Sequence, residues 1–429
     1  MAIASREHIL IQYKQIQLIG DNIMHACGVI VEYNPFHNGH LYHLVQARKK
    51  SQANIMVAIM SGNFLQRGEP AIIDKFHRAK AALKAGADIV LELPYVYAVQ
   101  SSHYFAMGAV RTLHEFGVDS LCFGSEQGNI AAFKDFNHES KKSRQYEQRL
   151  KKFLAKGHSY PSAHAQTHKQ IFGELTTIDL TKPNNILGYS YVNRVIKDHL
   201  TIRLLTIKRI ESDYHDDKIN GTIASATSIR KQLLKANKIT KEIKQSLPPP
   251  TIQALINYRE KASMWHHWEH YFSFLKYRIL TMSAEQLAKI HLVDEGLEHR
   301  ILQTVKRASS FKHWMTLMKT KRYTWVRLQR MFVHILTHTT KADIENIFNE
   351  SSVPYIRLLG FTKRGQTYLN NVKKQLNVPL IAQVNQIEHH ALQLEERASS
   401  VYYSALSPVQ QIAFQRRELQ GPLIIKEEN

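Results

Sequence analysis

The chain has 429 residues, 44% of them hydrophobic and 22% charged, with 57 Lys and Arg against 36 Asp and Glu for a formal net charge of +21. That length allows two or three cores, since a single core stops growing at roughly 250–300 residues. No apolar run reaches the ~18 residues of a membrane-spanning helix, and "MAIASREHILIQYK" lacks the basic start and apolar core of a secretory signal. The expected location is the cytoplasm, and the cationic excess points to a polyanion, with nucleic acid the first choice. The two cysteines, Cys27 and Cys122, lie in apolar runs. They support neither a disulfide framework nor a cysteine-based zinc site.

From Ala26 the pattern is strand, turn, helix, repeated. Strands are predicted over Ala26 to Tyr33, Asn54 to Met60, Asp88 to Leu93 and Val118 to Phe123. Helices are predicted from about Gly39 to Lys50, Lys75 to Ala85 and Ser101 to Phe116, the last two closed by Gly86 and Gly117 as left-handed caps. Near-continuous apolar strands alternating with helices indicate a parallel sheet covered on both faces. The class is α/β, doubly wound and Rossmann-like. Residues 129–175 read as a basic helical insertion. "TIRLLTI" is a further strand, and "SATSIRKQLL" is a helix that Ser225 or Thr227 can cap. "SLPPP" at Ser246 to Pro250 marks a boundary, so residues 24–245 form one domain and residues 251–429 a mainly helical, basic second one.

Ligands of such sheets sit beyond the carboxyl ends of the strands. There the sequence places "NPFHNGH", "SGNFLQRGEP" and "GSEQG". His37 and His40 stand three apart across Gly39 where a strand turns into a helix, and a helix start offers free N–H groups and positive dipole to phosphate. On spacing alone, surface histidines or a metal site remain open alternatives. Arg67 is suited to a carboxylate or phosphate, with Asn63 and Gln66 to read a ligand's polar edge. Lys208, Arg209, Ser225, Thr227 and Arg230 combine hydroxyls and cations in the way that neutralises a leaving pyrophosphate. From His299 to Ala342 there is no Asp or Glu, and Arg300, Lys306, Arg307, Lys312, Lys319, Lys321, Arg322, Arg327, Arg330 and Lys341 accumulate. Interleaved Phe311, Trp314, Tyr323 and Trp325 either stack bases or fill helix cores. "MWHHWEHY", with His266, His267, Glu269 and His270, reads as helix packing with its polar residues outward rather than as a metal site.

Taken together, "GVIVEYNPFHNGHLYH", "SGNFLQRGEPA", "GADIVLELP", "FGSE", "KPNNILGYSYV", "KRIESDYHD" and "SATSIR" resemble the tRNA(Met) cytidine acetate ligase family of the HxGH nucleotidyltransferase superfamily. The likeness runs in order from about Met24 to Arg230, and residues 1–23 read as an extension ahead of it. The resemblance implies that ATP and acetate form acetyl-adenylate with release of pyrophosphate. The acetyl group then passes to N4 of the wobble cytidine of elongator tRNA(Met). His37 and His40 are the expected catalytic groups. ATP is expected on the loop Val29, Ile30, Val31, Glu32, Tyr33, Asn34, Pro35, Phe36, His37, Asn38, Gly39, His40, Leu41 and Tyr42, and on Gly124, Asn185, Arg209 and Ile210. Lys208, Ser225, Thr227 and Arg230 are placed on the pyrophosphate side. Mg²⁺ is expected with ATP, its ligands unassigned, and no protein or membrane partner is evident. Two rival readings remain: an adenylyltransferase acting on a small metabolite, and a noncatalytic RNA-binding protein that retains ATP.

Overall fold

β1 (Ala26–Val31), β2 (Ile55–Ser61), β3 (Ile89–Leu93), β4 (Ser120–Ser125) and β5 (Arg203–Lys208) run parallel in the order β5-β4-β1-β2-β3. They belong to a computed structural model that describes residues 24–142, 144–156, 158, 160–173, 178–209, 224–294, 296–320 and 322–426. The predicted extension, residues 1–23, lies outside the described residues. Side chains alternate between faces: Ile55, Val57 and Ile59 of β2 enter one core, and Met56, Ala58 and Met60 the other. Burial on both sides is why these strands read as continuous apolar runs.

The predicted helices form within a residue or two of their expected bounds: α1 (Asn38–Ser51), α2 (Lys75–Lys84) and α3 (Ser102–Glu115). Gly86 and Gly117 follow the last two with φ of 113° and 80°, the left-handed caps the sequence called for. The insertion forms three helices, Ile130–Lys142, Arg144–Ala155 and Tyr160–Phe172. Beyond it α4 (Pro183–Lys197) packs on α3, and α5 (Ala226–Ala236) starts at Ser225, whose hydroxyl accepts from the Ser228 N–H. Cys27 and Cys122 are buried free thiols in the strands.

Beyond Pro250 the chain is helical from Pro249–Ala262 through Lys341–Phe348, and includes α6 (Trp325–Thr337). It then returns to the sheet, an arrangement the sequence did not announce. β6 (Ile356–Thr362) pairs antiparallel with β3, and β7 (Leu380–Ile381) and β8 (Leu423–Ile425) pair parallel with β6. The N-terminal and C-terminal parts therefore share one sheet.

That junction is held by charge as well as backbone. Lys75 at the start of α2 lies 2.8 Å from Glu92 of β3 and 3.1 Å from Glu418. Arg357 of β6 lies 2.9 Å from Glu92 and 2.6 Å from Glu418. Glu395 of α7 (His390–Tyr403) completes the group and accepts the Tyr95 N–H at 2.6 Å. Three carboxylates face two cations in a dry interior. Burial first, then the Glu92 charge, pushes the Glu395 carboxyl up to about 8, which relieves the excess by retaining a proton.

Candidate active site

β1 lies between β2 and β4, where the connections change direction and a parallel sheet opens a crevice at its carboxyl edge. There the chain leaves β1 through Glu32 and through Tyr33, whose φ of 51° is uncommon for a bulky residue. The Asn34–Pro35 peptide is cis. The Tyr33 ring is buried edge-on against Phe36 and His40, at centroid distances of 4.5 and 5.1 Å. This packing aims the chain into α1.

His37 is the N-cap of α1. Its Nδ1 accepts the Gly39 N–H at 3.0 Å, and Nδ1 of His40 accepts the His37 N–H at 3.3 Å. The two imidazoles thus form a reciprocal capping box, a job Ser and Glu ordinarily do. Their rings stack at 3.8 Å between centroids. With each Nδ1 accepting, the proton of each neutral ring sits on Nε2, leaving that atom a donor. Burial, followed by the charges of Arg209 and Arg230, takes His37 down to about 3. Burial and the His37 neighbour hold His40 well below the ordinary imidazole value. The pair meets a ligand as neutral donors, so the charge of the site comes from elsewhere.

That charge lies on β5 and the C-terminal helices. A small cavity of about 40 Å³ is lined by His37, Gly39, Tyr42, His43, Gly124, Lys208, Arg209 and Ser225. Through His43, Gly124 and Arg209 it shares a wall with a cavity of about 720 Å³, within the range of pockets that enclose whole ligands. Ile30, Val31, Glu32, His40, Gln66 and Arg67 form the sheet side of the larger cavity; Phe105, Phe123 and Tyr191 give it aromatic walls; Arg322, Arg327 and Arg330 face it from the C-terminal part. At Gly124 a Cβ would come within 3.3 Å of the Arg209 side chain and 3.7 Å of His43, so a side chain there would crowd the wall the two spaces share. Nε2 of His43 is buried without a hydrogen-bond partner, and burial takes that ring down to about 4.

Not every expected residue reaches these spaces. Val29 is buried within β1, Tyr33, Asn34, Pro35 and Phe36 are buried in the packing of the turn that follows it, and Asn38 donates its N–H to Ser246 O at 3.0 Å. Leu41 packs against the apolar core on one face of the sheet. Asn185 is occupied internally, accepting the Gln127 N–H at 3.0 Å and donating to Asp179 O at 3.0 Å, whereas its neighbour Asn184 lines the larger cavity. Arg230 is a clamp across the loop, donating to Asn34 O at 2.9 Å and to Glu69 at 2.8 Å. Thr227 sits in the first turn of α5, and Ile210 lies outside the described residues. Asn63 is turned inward, where its Oδ1 accepts the Lys75 N–H at 2.9 Å.

The basic arm resolves in favour of packing for its aromatics. Phe311, Trp314 and Tyr323 are buried, and only Trp325 of the four is exposed. "MWHHWEHY" also packs, but His266 points inward, bonded to the hydroxyls of Tyr258 and Tyr271. Glu269 accepts the N–H groups of Phe311 and Lys312 at the start of the helix Phe311–Met318. Sequence reasoning passed over Glu126, which accepts from both Asn184 and Asn185 and so fixes the turn after β4, and Tyr191 on the cavity wall. "FGSE" and "KPNNILGYSY" carried both residues, but nothing in either stretch says that the two turns meet.

A parallel sheet with a histidine-capped helix at its switch point defines a nucleotide-handling α/β protein, and a family model described as HIGH Nucleotidyl Transferase matches residues 24–417. The tRNA(Met) cytidine acetate ligase of Oceanobacillus iheyensis is 51% identical over 403 residues, 94% of this chain and 100% of that protein. The protein of the same name from Bacillus subtilis is 46% identical over 383 residues, 88% of this chain and 92% of its own. The chain therefore belongs to the HIGH nucleotidyl transferase family and, within it, to the tRNA(Met) cytidine acetate ligase family. Thermotoga maritima TmcAL in its apo form has a TM-score of 0.87 at 32% identity, covering 94% of this chain and 100% of that one. The same protein bound with alpha-thio ATP gives 0.86.

Proposed function

We propose that this protein activates acetate with ATP as acetyl-adenylate and transfers the acetyl group to N4 of the wobble cytidine of elongator tRNA(Met), acting in the cytoplasm. The observation that carries the reading is the pair of adjoining cavities at the β1–β4 switch point, lined by the reciprocally capped histidines on one side and by arginines on the other. The names of the relatives supply the acid and the acceptor, and the nucleotide bound by the Thermotoga protein supports ATP.

In the first step an acetate oxygen attacks the α-phosphorus and pyrophosphate leaves. The chain needs no nucleophile of its own, because holding two anions in line and stabilising the spreading charge supplies most of the acceleration. Nε2–H of His37 and of His40 would donate to the phosphoryl oxygens. Lys208, Arg209 and Ser225, around the small cavity, would take the pyrophosphate side, while Arg230 and Thr227 hold the loop and helix that present it. Gly124 allows the nucleotide close to β4, and Asn184 is the better placed of the paired asparagines. Mg²⁺ is expected to enter on the phosphates of ATP, its ligands on this chain unassigned.

In the second step the cytidine amine attacks the acyl carbon. A wobble base reaches such a cavity only when turned out of its stack, and Phe105, Phe123 and Tyr191 offer it aromatic walls. Residues 251–429 are the part we assign to gripping the tRNA body, with Arg67, Arg322, Arg327 and Arg330 nearest the reacting base. Incubation with labelled acetate, ATP and bulk tRNA tests the whole reading. Label is expected in RNA; nucleotide turnover with a different acid and none with acetate would replace it with a metabolite adenylyltransferase.

A further inference from the structure

Glu32, which the family resemblance puts among the ATP contacts, is as a carboxylate out of place against the phosphates. It stands one residue beyond β1, on the wall of the larger cavity with His40, Gln66, Arg67 and Tyr191. Oε1 accepts the Gln66 N–H at 2.7 Å. A carboxylate here repels both a triphosphate and acetate, so its use lies with something that gives up a proton. The second step supplies that: the exocyclic amine of cytosine is a weak nucleophile and must shed a proton as it acylates. A carboxylate is also the side chain that accepts from cytosine N4 in nucleic-acid recognition.

The other candidates at the wall are poor bases. Both histidines of the HxGH pair spend Nδ1 as acceptors within the capping box, and His43 is taken down to about 4 by burial. Glu32 moves the opposite way. Burial raises its carboxyl, opposed by the Gln66 hydrogen bond and the charges of Arg67 and Arg230 and assisted by Glu69. Arg78, which donates to the Glu32 carbonyl at 2.6 Å, and the hydroxyl of Tyr191 are the other ionisable groups facing it.

We propose that Oε2 of Glu32 takes the proton of the cytosine amine as that nitrogen attacks the acyl carbon of the adenylate. This rests on the function proposed above. The N4–C bond forms, the bond between acyl carbon and phosphate oxygen breaks with its electron pair going to AMP, and the proton goes from N4 to the carboxylate. The step needs no further reactant.

The test separates the half-reactions: acetate-dependent exchange of pyrophosphate into ATP, and transfer of labelled acetyl to transcribed tRNA(Met). The Glu32→Gln amide keeps an oxygen for the Gln66 N–H. General-base catalysis contributes about 10²- to 10⁴-fold, so transfer is expected to fall by ~100-fold or more relative to exchange. Transfer by the wild type rises with pH as the carboxylate ionises, and that limb should vanish in Glu32→Gln and persist, at a lower rate, in Glu32→Asp. If Glu32→Gln does not fold, retention of the limb by Glu32→Asp with transfer slowed more than exchange supports the assignment. Exchange and transfer falling together, or a limb unchanged in Glu32→Gln, overturns it. A wild type that exchanges pyrophosphate but leaves no label in tRNA overturns the proposed function, and the assignment with it.

Discussion

Gly68, in the loop after β2, lies against the backbone of Arg330 in α6: a Cβ built on it would stand 2.2 Å from the Arg330 nitrogen, and its φ is 71°. The indole of Trp268 donates to the Gly68 carbonyl at 2.9 Å, closing the contact from a third element. The absence of a side chain at this one position brings the C-terminal arginines to the strand tips. Gly68→Ala should therefore push α6 away and strain the turn, costing about 3 kcal/mol from overpacking and the left-handed backbone together. Urea unfolding measures the loss, and the variant should also bind tRNA more weakly.

His37 caps a helix and faces the small cavity, and two substitutions separate these duties. Asn is a good N-cap and Ala is not, a difference of roughly 1 kcal/mol. His37→Asn should keep nearly the wild-type melting temperature while acetate-dependent pyrophosphate exchange falls about 10²-fold, the scale of losing one donor to a developing oxyanion. His37→Ala should lose both. Exchange at the wild-type rate in His37→Asn would leave the imidazole with capping alone.

Acid should destabilise the protein well above the carboxylate range. Burial takes His37 to about 3 and His43, His164 and His291 to about 4, from 6.5 in the unfolded chain. A depressed folded value means that the unfolded chain binds the proton first, so this stability is intact above pH 6.5 and is lost as pH falls toward 4. Each ring contributes up to ~1.4 kcal/mol per pH unit in that window, discounted for the partly exposed ones. Thermal melts between pH 7.5 and 5 should show the decline, and His37→Asn should make it shallower.

The buried group joining α2, β3, β6 and α7 should be intolerant of losing one partner. Lys75→Met leaves Glu92, Glu395 and Glu418 facing Arg357 alone, and breaking a buried pair costs about 3–5 kcal/mol. Denaturant unfolding of Lys75→Met checks this. Because the group fastens β6 to β3, the variant should also become sensitive to proteolysis beyond residue 350.

The arginines on the C-terminal side of the large cavity should read out as salt dependence. Nε of Arg330 is buried without a partner, and burial with Arg327 and Arg67 close by lowers its guanidinium to about 10. Arg327→Glu with Arg330→Glu should weaken tRNA binding and reduce the slope of log K against log salt by about 1 for each phosphate that is no longer neutralised. Pyrophosphate exchange should suffer less than tRNA binding; the reverse order would move the RNA surface elsewhere.

Local chemistry explains what could be read in advance. The strands from β1 to β4, the helices between them and the glycine caps depend on neighbours a few residues apart, and their signals survive in any sequence window. The HxGH pair was legible for the same reason: cap, glycine and both rings fall within four residues. The division of labour inside the Val29 to Tyr42 loop was not, because whether Asn38 meets a ligand or Ser246 O depends on a segment about 200 residues away.

The same contrast governs the C-terminal part. Its cationic excess and helical content are properties of composition and periodicity, visible without coordinates. That Ile356–Thr362 would close the open edge of β3, with Arg357 neutralised by Glu92 and Glu418, was not. A charge in mid-strand argues against burial until its partners are known, and those partners come from distant parts of the chain. Sequence alone thus determined the sheet, the helix starts and the chemical vocabulary at each strand tip, all products of short-range backbone and hydrophobic preference. Only tertiary structure decided which tips face one cavity and which arginines reach it, because long-range packing and burial set proximity and protonation, and neither is encoded by any one stretch.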